Sequence, residues 1–291
     1  MQHVVTDSDQ ISRPKSRVWF AVLDKSFYIV LVAGIGAFAY YLYTFRDTIQ
    51  IDLPVLLQAA GVTIFISITS MILAAIFGLV GGLCRLSRVA LLRWLAFLYV
   101  ELIRGTPILV QLLLWGFAVN IALANIGFDP YNVAYQVMTV LQNNSLVPSP
   151  TVFDAAFYGI IGLSFNYGAY LTEVFRTGIE SIDKGQAEAA LSLGLNSSQT
   201  MRKIILPQAI RITIPPFTNY FITLVQDTAL LSTLGGVIEV QQMTTSLASP
   251  LASDPSKQMF IYTFGALIFL CICYPLALLA RYLEGRMAVA Y

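Results

Sequence analysis

The chain has 291 residues, 57% of them hydrophobic and only 11% charged, with a mean hydropathy of +0.72. Soluble domains carry about 25% charged residues, so this composition selects a membrane protein, and a net charge of +1 gives no electrostatic footprint for nucleic acid. The single histidine, His3, sits in a polar tail, which excludes Ser-His-Asp, Cys-His and HExxH chemistry. No GxxxxGK[ST] run occurs, so any energy from ATP has to be supplied by another chain. The cysteines, Cys84, Cys271 and Cys273, all lie in apolar runs and read as packing residues rather than a disulfide framework.

In chain order, residues 1–26 are polar and read as an N-terminal tail. The apolar run 27–45 is long for a signal-peptide core and has no small-residue cleavage site behind it, so it predicts a retained first helix. A helix needs about 20 mostly apolar residues to cross the hydrocarbon core. Further runs of that kind occupy 62–84, roughly 106–125, 155–175, roughly 212–231 and 260–280. The prediction is therefore an all-α membrane protein with about six transmembrane helices. The apolar stretch 89–103 leads into Arg104-Gly105-Thr106-Pro107, where proline breaks or kinks a helix. We read 89–125 as one crossing with an interrupted entry, with a partial seventh insertion as the alternative. Gly61, Gly78, Gly81 and Gly82 fit close helix packing.

Lys and Arg set the orientation. With the N-terminus inside, fourteen of them fall on inner segments and only Arg46 and Lys257 on outer ones, Arg104 being left near the membrane. The positive-inside rule then predicts both termini in the cytoplasm. It also makes 176–211 the longest inner loop. Within that loop 183–193 has a helical pattern, 194–196 a turn, and 197–206 a second short helix ended by Pro207. The outer segment 126–153, rich in Pro and Asn, reads as an extended external loop.

The inner loop carries a resemblance. Glu188-Ala189-Ala190, then Gly194, then Ile204-x-Leu206-Pro207 resembles the EAA loop of ABC importer permeases. The segments Tyr99-Val-Glu101-Leu-Ile-Arg104-Gly105-Thr106-Pro107 with Gln111, Asn166-Tyr167-Gly168-Ala169-Tyr170 with Glu173 and Arg176, and Leu206-Pro207-Gln208-Ala209 with Arg211, Pro215 and Asn219 resemble the polar amino acid subfamily. The resemblance covers roughly 61–286. It implies a five-helix permease core, to which the helix at 27–45 is an addition. It also implies a multi-pass protein of the bacterial inner membrane that binds no cofactor itself. Its implied partners are two ATP-binding cassette subunits holding ATP and Mg, a second permease (identical or paralogous), an extracytoplasmic amino acid binding protein and the lipid bilayer. Glu188, Ala189, Ala190, Gly194, Leu206 and Pro207 would couple to the ATPase. Two alanines let a helix sit close to a partner, Glu188 can pair with a basic group, and Gly194 permits a tight turn. One departure is Gln226-Asp227-Thr228-Ala229-Leu230, where the family usually reads Lys-Asp-Thr-Ser-Leu.

Glu101, Arg104, Glu173 and Asp227 fall in or beside apolar runs. Charge at mid-bilayer costs about 2.5–3.5 kcal/mol even on the lenient insertion scale, so such groups face a bundle interior or water. Read functionally, Arg104 meets the carboxylate of an amino acid, and Glu173 or Asp227 meets its ammonium group. Arg104 equally fits an anchor on Glu101, three residues earlier on the same helical face. Asn166, Gln226 and Thr228 fit either the path or interhelical hydrogen bonds. The rival function is an ion-coupled secondary transporter of amino acids using intramembrane carboxylates, for which the cytoplasmic loop would be superfluous.

Overall fold

The computed structural model describes residues 16–127, 136, 139 and 156–288. Most of the expected external loop 126–153, and the first fifteen residues of the expected tail, lie outside them. The chain divides into two units, residues 1–51 and 52–291. In the first, α1 (Ser16–Thr44) is a single helix. It begins eleven residues before the predicted start at 27, because nothing between Pro14 and Gly34 interrupts a helix and 18–23 is itself apolar.

Phe45 alone separates α1 from α2 (Arg46–Arg85). At about 1.5 Å per residue, its 40 residues far exceed the predicted 62–84. Next comes α3 (Ala90–Arg104), followed by a rod made of α4 (Ile108–Leu113), a π-helical turn (Leu114–Val119) and α5 (Asn120–Asn125). The predicted break at Arg104-Gly105-Thr106-Pro107 is complete: α3 and the α4–α5 rod are separate helices, not one crossing with a disturbed start. Then follow α6 (Ala156–Glu180), α7 (Lys184–Ser192), α8 (Ser197–Thr200) with a π turn (Met201–Ile205), α9 (Leu206–Asp227), a 3-10 turn (Thr228–Leu234), α10 (Val240–Ala248) and α11 (Pro255–Ala288). By length and apolarity, Arg46–Arg85, Ile108–Asn125 and Pro255–Met287 can each cross a membrane. The helices α6 and α9 are long enough, at 25 and 22 residues, but more polar, and α6 buries Ser164, Asn166 and Thr172.

The core is built around α6, which packs against α3, α4 and α9, while α9 and α10 pack on α11. Val62, Ile66, Met71 and Ala74 of α2 meet Leu163, Tyr167 and Leu171 of α6, with Leu112, Leu224 and Leu231 closing the cluster. Small residues set how closely α2 and α6 approach. A Cβ on Gly81 would collide with the Thr172 side chain, and one on Gly78 with Leu171. One on Gly82 would sit 3.3 Å from the Phe175 Cβ. Gly61 belongs to no such seam, since nothing lies within 4 Å of its Cβ position. Two hydrogen bonds tie the bundle: the Tyr99 hydroxyl donates to the Phe165 carbonyl at 2.6 Å, and Ser164 donates to the Ser70 carbonyl at 3.2 Å.

Between α9 and α11, Glu239 is fully buried. Its two carboxylate oxygens accept from the backbone N–H groups of Gln241 and Gln242, both at 2.6 Å, and so cap α10. Thr63 of α2 accepts the next N–H, that of Val240, at 3.2 Å. Burial pushes the Glu239 carboxyl up to about 7, against the pull of the two N–H groups.

Two predictions follow from this packing. Gly81→Val should force α2 off α6 and destabilise the fold by about 1–3 kcal/mol, whereas Gly61→Ala should be neutral or slightly stabilising. Thermal unfolding in detergent, read side by side, checks both. For Glu239 the folded state holds a proton that the unfolded chain releases near its ordinary value. Its stabilising contribution is therefore present in acid and lost as pH rises through about 7. The fall in Tm between pH 5.5 and pH 8 should shrink in Glu239→Gln, and an unchanged fall would remove Glu239 as its source.

Candidate functional site

The helix break makes the site. After Arg104 the chain turns at Gly105, whose N–H donates to the Glu101 carbonyl at 2.9 Å, and Pro107 holds an extended backbone before α4 begins. Pro107 brings no N–H to continue the α3 ladder, so the last carbonyls of α3 need other donors. Thr106 Oγ1 donates to the Leu102 carbonyl at 3.0 Å. The buried Gln111 side chain turns back to donate to the Ile103 carbonyl at 2.7 Å, the Thr106 carbonyl at 3.1 Å and Thr106 Oγ1 at 2.7 Å. Its own Oε1 accepts from Asn166 Nδ2 on α6 at 3.1 Å.

Facing the break, α6 presents Asn166, Tyr167 and Tyr170, and α9 presents Tyr220, Thr223 and Asp227. Spacings of three and four residues put each set on one helical face. With residues 104–108 they enclose a cavity of about 490 Å³. The Arg104 guanidinium lies 5.4 Å from the centre of the Tyr170 ring, within cation–π range. On the opposite wall the Tyr167 hydroxyl donates to Asp227 Oδ2 at 2.6 Å. The rings of Tyr167, Tyr170 and Tyr220 lie against one another, with centroids 5.4–6.4 Å apart. One cation, one carboxylate and three aromatic rings thus line one space. A groove of about 550 Å³ outside α2 and α9, between Ile72, Ile76 and Phe221, is larger but wholly apolar and offers no recognition chemistry.

Of the residues singled out in the sequence, Arg104, Asn166 and Asp227 come together here. Glu173, Gln226 and Thr228 do not. Glu173 accepts from Arg85 of α2 at 3.2 Å and from Arg176 at 2.6 Å, and Arg176 reaches on to Glu180. It ties helices together, and Arg85 also lies 5.1 Å from the centre of the Phe97 ring on α3. Gln226 is exposed on α9, and the buried Thr228 donates to the Val225 carbonyl at 2.7 Å. The Arg104–Glu101 anchor is also absent: among the described residues no carboxylate lies within ion-pair distance of Arg104, which turns over Tyr170 instead. Tyr167, Tyr170 and Gln111 stood in the sequence only as parts of the family segments, with no role at the site, and Tyr220 and Thr223 were not singled out. The signal for them was the i, i+3, i+7 alignment of Tyr220 and Thr223 with Asp227.

The second candidate region is the segment from Glu188 to Pro207. Asp183 caps α7 by accepting from the Gly185 N–H at 2.6 Å. Gly194, at φ +84°, closes the turn that follows, a conformation that favours glycine. Asn196 and Gln199 then form a reciprocal capping box for α8. Glu188 and Ala189 are exposed, Ala190 is buried, and Leu193 stands 85% exposed at the tip. Pro207 does not end the second helix as predicted. It sits in the first turn of α9, where a missing N–H is tolerated, and the π turn before it keeps the chain helical. Leu206 is exposed beside it.

This architecture, a helical membrane bundle with an exposed two-helix excursion, is that of a transport permease. Residues 74–289 match the family of binding-protein-dependent transport system inner membrane components, and the chain belongs to that family. Within it the chain is an amino acid ABC transporter permease, a multi-pass membrane protein. It is 35% identical over 247 residues to the probable amino-acid ABC transporter permease protein YckA of Bacillus subtilis (strain 168), covering 84% of this chain and 95% of that one. It is 34% identical to the L-cystine transport system permease protein TcyB of the same organism, covering 80% of this chain and 87% of the relative. It is 30% identical to the glutamine transport system permease protein GlnP of Escherichia coli (strain K12), covering 81% and 94%. Among solved structures it is similar to a chain of an amino acid ABC transporter with histidines, at a TM-score of 0.64 and 27% identity, covering 83% of this chain and 98% of that one.

Glu173→Gln should lower thermal stability by about 1–2 kcal/mol, discounted for partial exposure, because it leaves Arg85 and Arg176 without their shared partner. The half-saturating substrate concentration should not move, and a shift there without loss of stability would put Glu173 back in the path.

Proposed function

We propose that the chain forms the translocation path of an ATP-driven importer of a zwitterionic amino acid, with the 104–107 break, α6 and α9 providing its substrate contacts. The observation that carries this reading is the cavity itself. Arg104 on one wall and Asp227 on the other complement a carboxylate and an ammonium group, and three tyrosine rings offer the space between them to a side chain. Equal and opposite charges suit a substrate with no net charge. Among the relatives' names, cystine and glutamine fit that class, whereas the arginine of another relative does not.

The segment from Glu188 to Pro207 docks on a separate ATPase subunit, which binds ATP and Mg, and this chain catalyses no reaction of its own. Its exposed Glu188, small Ala189 and projecting Leu193 support that assignment. The assembly comprises two such permeases, identical or paralogous, two ATPases and an extracytoplasmic binding protein. The distribution of Lys and Arg supports cytoplasmic termini in a bacterial inner membrane. The extended external loop 126–153 receives or orients the binding protein. The ion-coupled alternative relies on Glu173 and Asp227, and Glu173 is held by two arginines.

The test is uptake of L-glutamine, L-arginine and L-cystine into membrane vesicles holding the full transporter. Asp227→Asn should reduce uptake of the transported amino acid by about tenfold or more while the ATPase still associates. Glu188→Lys should abolish ATP-driven uptake and weaken ATPase co-purification. Wild-type uptake in Asp227→Asn would remove the cavity from the path. Wild-type uptake in Glu188→Lys would remove the docking segment.

A further inference from the structure

Gln111 does not line the cavity, yet it connects the cavity's two walls. Its side chain is 7% exposed and uses all of its polar atoms. The Nε2 group serves the Ile103 carbonyl, the Thr106 carbonyl and Thr106 Oγ1, and Oε1 accepts from Asn166. Two of those acceptors are backbone carbonyls on either side of Arg104. Asn166, itself buried, stands on α6 one helical turn before Tyr170, the ring beneath the Arg104 guanidinium. No other side chain described here bridges the break to α6 by hydrogen bonds. Without it the Ile103 carbonyl would keep only the longer bonds from the Thr106 N–H at 3.4 Å and Thr106 Oγ1 at 3.3 Å, Asn166 Nδ2 would lose its acceptor, and the break would no longer be tied to α6.

We propose that Gln111 is a positioning residue for substrate binding. It fixes the 104–107 break so that the Arg104 cation stands over Tyr170, and it registers that wall against Asn166 on the other. Substrate engaging Arg104 thus meets a guanidinium whose backbone is held in place before binding, which lowers the ordering cost of recognition. The inference rests on the reading of the cavity as the substrate path.

A double-mutant cycle on the full transporter tests it, reading the half-saturating concentration for whichever of L-glutamine, L-arginine and L-cystine is taken up. Gln111→Leu fills a similar volume and removes every hydrogen bond. In the native background it should raise half-saturation at least about fivefold, and in an Arg104→Gln background less than about twofold, because its effect passes through Arg104. A purely structural role would lower the amount of folded protein and the maximal rate equally in both backgrounds, and that outcome overturns the proposal. If Gln111→Leu fails to accumulate, Gln111→Asn enters the same cycle: it keeps the amide but withdraws it by one methylene, and the same non-additivity is expected. Asp227→Asn is run alongside. Loss of uptake there with unchanged half-saturation in the Gln111 variant keeps the path and rejects the positioning role. No effect in either rejects both.

Discussion

A helix that stops at a proline leaves its last carbonyls without their ladder donors, and the centre of this protein is organised around that problem. Pro107 ends the hydrogen-bond ladder of α3, and Thr106 and Gln111 supply donors in its place. The break can therefore sit beside α6 and carry a charged residue into the bundle. Arg104 reaches Tyr170 because the helix ends there. A continuous helix would direct Arg104 along its own axis face and give the cavity no wall of backbone and guanidinium.

The tight seam between α2 and α6 serves the same end by different means. Glycines on α2 bring its backbone against Leu171, Thr172 and Phe175, and the Arg85–Glu173–Arg176 network clamps the same helices. Lipid supplies little hydrophobic drive for helices to associate, so close packing and polar ties carry more of that role than in a soluble bundle. With α2 fixed on its back, α6 presents Asn166, Tyr167 and Tyr170 to the cavity as a rigid face. Precision at the site follows from rigidity behind it.

The excursion from α7 to the π turn is built for a different purpose. It is short, capped at both helix starts, turned by a left-handed glycine, and continuous with α9 through Pro207. The same α9 carries Tyr220, Thr223 and Asp227. One helix, with Pro215 and Pro216 in its interior, therefore runs from the proposed docking segment to the cavity wall.

The sequence by itself determined the class of protein, most of the long helices, an interruption at Pro107 and the two-helix segment, but neither α10 nor the full separation of α3 from α4. Each follows from local properties: apolar length, the chemistry of proline and glycine, and residue spacing along one stretch of chain. It also indicated which charges were too costly to leave in lipid. It did not determine their partners. Arg104 and Glu101 are neighbours on a helix, yet Arg104 went to Tyr170, 66 positions on in sequence, because the chain turns away at Gly105. Glu173 and Asp227 are both acids near apolar runs; Arg176 lies one turn from Glu173 on α6 itself, but only the packing of α2 on α6 added Arg85, and only that of α9 on α6 gave Asp227 to Tyr167. Gln111 reads as one more polar residue in a span until the break folds back over it. Local interactions act over a few residues and can be read in order, whereas a site assembled from three helices depends on their rotation and depth. Those are settled by side-chain packing over the whole bundle, which no single stretch of sequence contains.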